Sequence, residues 1–184
     1  MEHKSIRVVV FIGVFFSALA VLALGAQDKY TVKVPNGLAF SEFKGYEAWQ
    51  VVSISQDGAL VAAILADPVM IKAYQDGVPG NGKPFPDGAR MAKIHWNPTK
   101  METFPAATVP GTQHDVDFMM KDSKRFADSG GWGYAVFEYD AASDTFRPGT
   151  QADKPPQGND ARCGFACHTR VKSRDYVFTN YAHR

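Results

Sequence analysis

Two cysteines in 184 residues are too few for a disulfide framework, and both stand near the carboxyl end. The formal net charge is only +1, which offers no electrostatic basis for binding nucleic acid or an acidic partner. No run of Lys or Arg is long enough to act as a basic arm. No internal repeat or low-complexity tract is present, which excludes a repeat architecture. Apolar residues (45%) and charged residues (21%) stand in ordinary globular proportion.

One long hydrophobic run exists, from Val8 to Ala26, preceded by Lys4 and Arg7 and followed by the polar "QDKY". Basic, then apolar, then small residues is the order of a secretory signal, with cleavage expected after Gly25 or Ala26. The run is also long enough to serve as an uncleaved anchor. Either way export to the periplasm is expected, with 1–26 as the signal or anchor and 27–184 as one domain. A body of about 155–160 residues buries a reasonable core without covalent staples, so the cysteines are not needed to hold the fold.

The body reads as strands with a few short helices. "WQVVSIS" and "ALVAAILAD" have strand character. "DPVMIKAYQDG" predicts a helix with Asp67 at the N-cap and Pro68 at the first position. "GVPGNGKPFPDG" is a loop. "ARMAKIHWNP" alternates Met91, Lys93 and His95 with Ala92, Ile94 and Trp96, a strand pattern. "HDVDFMMKD" alternates around Val116 and Phe118, and "GWGYAVFEYD" is aromatic and β-branched. The segment from Ala141 to Asp160 reads as a polar loop, and a helix is expected to begin at Asp160 or Ala161. Strands in succession, without alternating βαβ units, predict an α+β domain built mostly of antiparallel sheet.

"RCGFACHTR" carries the chemistry. Cys163 and Cys167 stand at i and i+4, neighbours on one helix face. His168 follows, turned about 100° around the axis. Two thiols on one side of a helix can bond the two vinyl groups of a haem, and the adjacent imidazole can then reach the iron. The usual attachment spelling is C-x-x-C-H, one residue shorter. The extra residue moves the first sulfur by part of a turn and not to the opposite face. Haem attachment is favoured, with a Cys163–Cys167 disulfide and a metal site as the standing alternatives.

Several segments together carry a family resemblance: "FPDGARMAKI", "KDSKRFADSGGWGYAVFEYD" and "CGFACHTRVKSRDYVFTNY". The chain resembles the cytochrome P-460 family, which includes the cytochromes c-prime-beta, from about Tyr46 to the carboxyl end. The resemblance implies a secreted, mostly antiparallel β protein that forms a homodimer, with a C-terminal haem-attachment helix. It implies one haem c held by Cys163 and Cys167, with His168 as proximal iron ligand and an open distal position. It further implies oxidation of hydroxylamine, or binding of nitric oxide without turnover, with a periplasmic electron acceptor as partner in the first case. In hydroxylamine-oxidising members a strand lysine, six residues after the aspartate of an Asp-Gly turn, is cross-linked to the haem. Lys93 stands at that offset from Asp87; without the resemblance it reads as a solvent-facing strand lysine.

The chain departs from the pattern in three places. The cysteine spacing is longer than that of the best-known members, Ala62 falls near an expected distal arginine, and Asp117 aligns with an expected glutamate. A carboxylate at Asp117 could accept protons released by bound hydroxylamine; its alternative is a solvated strand position. His95 shares a predicted strand face with Lys93, as a pocket residue, a distal ligand or a surface residue. His114 is expected in a polar loop and His183 in the tail. Met91, Met101, Met119 and Met120 raise an electron-transfer haem with His and Met ligands, against simple core packing. Trp96, Trp132, Tyr134 and Phe137 are expected in the core or against the haem.

Overall fold

The computed structural model describes residues 26–34, 37–149 and 161–182. The expected signal or anchor, apart from its last residue Ala26, and His183 lie outside these residues.

Among the described residues, six strands form one antiparallel meander in chain order. They are β1 (Gln50–Asp57), β2 (Leu60–Ala66), β3 (Arg90–Met101), β4 (Phe104–Lys121), β5 (Trp132–Asp140) and β6 (Thr145–Pro148). The α+β expectation holds. β1 and β2 are joined by a two-residue turn in which Gly58 has φ +55, a conformation glycine adopts without steric cost.

Helix α1 (Pro68–Gln75) connects β2 to β3 and begins where the sequence places it. The buried Asp67 carboxylate accepts from the Met70 amide (2.8 Å), capping the first turn. It also accepts from the backbone and guanidinium of Arg90 at the start of β3 (3.2 and 3.0 Å). One carboxylate therefore ties helix to sheet.

β3 and β4 form a hairpin that runs much further than the sequence suggested. Pro98, Pro105 and Pro110 lie in its exposed outer half, where lost ladder donors cost little. His114 lies in β4 and not in a loop: alternation continues through it, with its side chain on the exposed side. β6 falls inside the segment read as a loop. It is short, and only the pairing of Phe146 with Tyr139 and the burial of Phe146 make it a strand.

Strand alternation sorts the core into two layers. One face carries Ala92, Ile94, Val116, Phe118, Ala135 and Phe137, covered by Phe40, Phe43 and Tyr46 from the segment before β1. Phe43 stacks on Phe118 with centroids 4.1 Å apart, and Phe40 makes edge or tilted contacts with Phe118, Phe137 and Phe146. Burying each such ring contributes about 1.5–3 kcal/mol. The other face carries Ala66, Met91, Met119 and Tyr134, covered by α1 and by the C-terminal segment around Tyr176 and Val177. That second face bears the candidate site.

Candidate functional site

Helix α2 (Ala161–His168) contains Cys163 and Cys167, as the spacing predicts. It packs on β5 through Gly164, where a Cβ would lie 2.8 Å from Cβ and Cγ of Tyr134. Only glycine allows this approach. The Cys167 thiol is exposed and free.

His168 ends α2, and its ring lies between Tyr134 and Phe178, with centroids 5.0 Å from each. Its Nδ1 lies 2.5 Å from the carbonyl oxygen of Tyr176. A carbonyl only accepts, so Nδ1 carries the proton and Nε2 keeps its lone pair. Burial lowers the His168 pKa and the nearby Lys93 charge lowers it further, outweighing the Tyr176 hydrogen bond. The imidazole is therefore held neutral, in one tautomer and one orientation, as a metal ligand must be.

The loop that supplies the Tyr176 carbonyl is unusual. After a 3-10 segment (Thr169–Arg174), Asp175 and Tyr176 have φ +49 and +64. Two successive non-glycine residues in the left-handed region are uncommon. The Asp175 carboxylate is held by Lys121 Nζ (2.7 and 3.0 Å) and by the Phe85 amide (2.8 Å). None of these partners was foreseen, because no local pattern links Lys121 to Asp175.

The sheet face toward α2 carries the remaining candidates. Lys93 on β3 stands opposite Asp117 on β4, and Asp117 opposite Val136 on β5. Side chains of paired residues share a face, so the structure brings Lys93 and Asp117 side by side. Both are half-buried, and the Lys93 charge acts on His168. Asp87, in the turn before β3, accepts from the backbone and hydroxyl of Ser123 (both 2.7 Å), which pins the approach to Lys93.

One register step further, His95 stands opposite Asp115, with Nδ1 2.5 Å from Oδ1. The other Asp115 oxygen is 2.6 Å from His114 Nδ1, and Asp117 Oδ2 lies 3.8 Å from His95 Nδ1. Burial would raise the Asp115 pKa, but the two histidines outweigh it and hold it low. The sequence reading overlooked Asp115, although strand alternation from Asp117 already put it two residues away on the same face. Ala62, where the resemblance expects an arginine, is the buried partner of His95 on β2.

Met91 and Met119 are buried among apolar side chains, which is packing, and Met101 is exposed near the hairpin tip. Met120 packs against the opposite core. Trp132, Tyr134 and Phe137 are buried as expected, and Trp96 is half-buried.

These residues fit a haem. A neutral, half-buried imidazole with a committed Nδ1, an exposed thiol one residue before it, and the half-exposed apolar ring of Phe178 beside it are a haem-type donor set. Residues 43–179, well over half of the chain, match the family model Cytochrome P-460. No curated protein matches the chain. The chain belongs to the cytochrome P-460 family, and the cofactor this membership implies is a haem.

Proposed function

We propose that the chain is an exported haem c protein that oxidises hydroxylamine. Cys163 and Cys167 would form the two thioether bonds, and His168 Nε2 would be the proximal ligand. When bound, the haem supplies an iron that takes up the nitrogen ligand and accepts its electrons. His168, kept neutral and aligned by Tyr176, sets the donor strength on the proximal side. Asp117 accepts the protons released as hydroxylamine loses electrons, and its partial exposure lets it return them to water. Lys93, beside Asp117, is the residue for a cross-link to the haem edge. The observation that carries this reading is the placement of Lys93 and Asp117 in one register pair on the sheet face toward His168.

A homodimer, periplasmic location and a periplasmic electron acceptor belong to the same reading. A second reading, nitric oxide binding without turnover, is favoured by Ala62, which supplies no cationic donor where the resemblance expects a distal arginine. The burial of Met91 and Met119 in the core supports an open distal position over a His/Met electron carrier.

The test is to export the chain with haem-maturation machinery. The ferrous spectrum, the intact mass and hydroxylamine-dependent reduction of an acceptor are then measured. A haem-loaded, five-coordinate protein with turnover supports the enzyme, and tight nitric oxide uptake without turnover supports the second reading. A colourless folded protein with a Cys163–Cys167 disulfide, or an iron with both axial positions filled by side chains, overturns both.

A further inference from the structure

In two sequence segments quoted above, "KDSKRFADSGGWG" and "RDYVF", the charged residues Lys121 and Asp175 have no part in the proposed chemistry. The fold joins them. Lys121 ends β4 and is buried, 6% exposed, yet charged. Its ammonium donates to the Asp175 carboxylate (2.7 and 3.0 Å) and to the Gly130 carbonyl (2.9 Å), and lies 5.1 Å from the Trp132 ring centre. Asp175 also accepts from the Phe85 amide. A largely desolvated pair with this many hydrogen bonds is an expensive way to gain stability alone, because desolvation offsets most of the attraction. Such a pair is better suited to fixing one local geometry.

The geometry it fixes is the left-handed pair Asp175–Tyr176. Left-handed backbone at two non-glycine residues persists only where the surroundings hold it. Here Asp175 is anchored by its side chain, and the Tyr176 ring is seated on Gly130. A Cβ at Gly130 would fall 2.2 Å from Tyr176 Cε2. The carbonyl of Tyr176 is thereby aimed at His168 Nδ1.

We propose that the Lys121–Asp175 ion pair, with Gly130 beneath Tyr176, is a positioning device for the iron ligand. By holding the Tyr176 carbonyl on Nδ1, it sets the orientation and electron donation of His168. Lys121 and Asp175 are positioning residues that act through the Tyr176 backbone. The proposal rests on His168 being the proximal ligand, and it goes beyond that reading by assigning what tunes it.

The experiment uses the full chain matured with haem, together with Asp175→Asn and Lys121→Gln. Asp175→Asn keeps its size and an acceptor for the Phe85 amide, but loses the charge. Lys121→Gln is independent of it and keeps a donor for Gly130. Resonance Raman of the ferrous protein reads the iron–histidine stretch, electrochemistry reads the midpoint potential, and stopped flow reads displacement of His168 by nitric oxide. The expected result is a stretch at lower frequency, a raised midpoint potential and displacement about tenfold faster, with both thioether bonds intact. In the haem-free chain, imidazole nitrogen-15 shifts are expected to show the Nδ1–H tautomer of His168 in the parent and a mixture in the variants.

A folded, haem-loaded Asp175→Asn protein with parental stretch, potential and displacement rate overturns the proposal. So does a parental tautomer in both haem-free variants. Failure of the underlying reading looks different: the parent itself would lack a haem spectrum, or His168→Ala would leave that spectrum unchanged.

Discussion

His168 and Tyr176 are eight residues apart, and the Nδ1 atom of the first lies 2.5 Å from the carbonyl oxygen of the second. This contact leaves Nε2 as the only ring nitrogen with a lone pair to offer. Replacing His168 by Ala is expected to leave both thioether bonds, and so the haem mass, in place. The ferrous spectrum should change to that of a haem without its protein ligand, and added imidazole should restore it. An unchanged spectrum in His168→Ala would remove this residue from the iron.

Gly164 sets the distance between α2 and β5. Alanine is the better helix former by about 1 kcal/mol. Its Cβ, however, would press to 2.8 Å on Tyr134 at the root of that side chain, where there is little freedom to move. Overpacking of this kind costs about 1–3 kcal/mol, so the clash is expected to win. Gly164→Ala should lower stability in urea unfolding and reduce the yield of haem-loaded protein. A stabilised variant with full haem would show that α2 is free to shift.

Lys93 and Asp117 separate attachment from turnover. Lys93→Arg is expected to retain two thioether bonds and, if the parent carries an extra bond to haem, to lose the mass signature of that bond alone. Asp117→Asn, which cannot accept a proton, should reduce hydroxylamine oxidation by about 10²–10⁴-fold while leaving nitric oxide affinity within about threefold. Equal turnover in Asp117→Asn and parent would favour the binding reading.

Asp115 gives a pH prediction. His95 and His114 hold its pKa below the ordinary 3.8 in spite of burial. The folded state then binds fewer protons than the unfolded state as pH falls through 3.8. The stabilisation is present above 3.8 and is lost as pH drops toward the folded value. Asp115→Asn should be less stable at pH 6, and its difference from the parent should shrink in urea titrations near pH 3. A difference that is constant across this range would mean that Asp115 contributes by shape and not by charge.

Asp67 tests the fold apart from the site. Its carboxylate caps α1 and holds Arg90, and it is fully buried. Asp67→Ala is expected to cost about 2–4 kcal/mol, since it removes a cap and leaves Arg90 without its carboxylate partner. Thermal or urea unfolding measures this loss, while the ferrous spectrum of the folded fraction should stay that of the parent. A spectral change would mean that α1 reaches the haem.

Much of this protein is written in local pattern. Alternation in "ARMAKIHW" and "HDVDFMM" placed Lys93, His95 and Asp117 on strand faces, because side-chain direction in a strand repeats every two residues. Asp67 and Pro68 marked the start of α1, because capping is satisfied within one turn. The spacing of Cys163, Cys167 and His168 placed all three in one helix for the same reason. What lay beyond reach was set by partners distant in sequence. β6 exists only because β5 offers it an edge, and the outer hairpin because β3 and β4 pair past their prolines. Lys121 meets Asp175 across 54 residues, and Phe85 meets it across 90. No periodicity encodes those meetings. They depend on the sheet bringing the end of β4 beneath a left-handed bend, and that bend decides which carbonyl faces the imidazole.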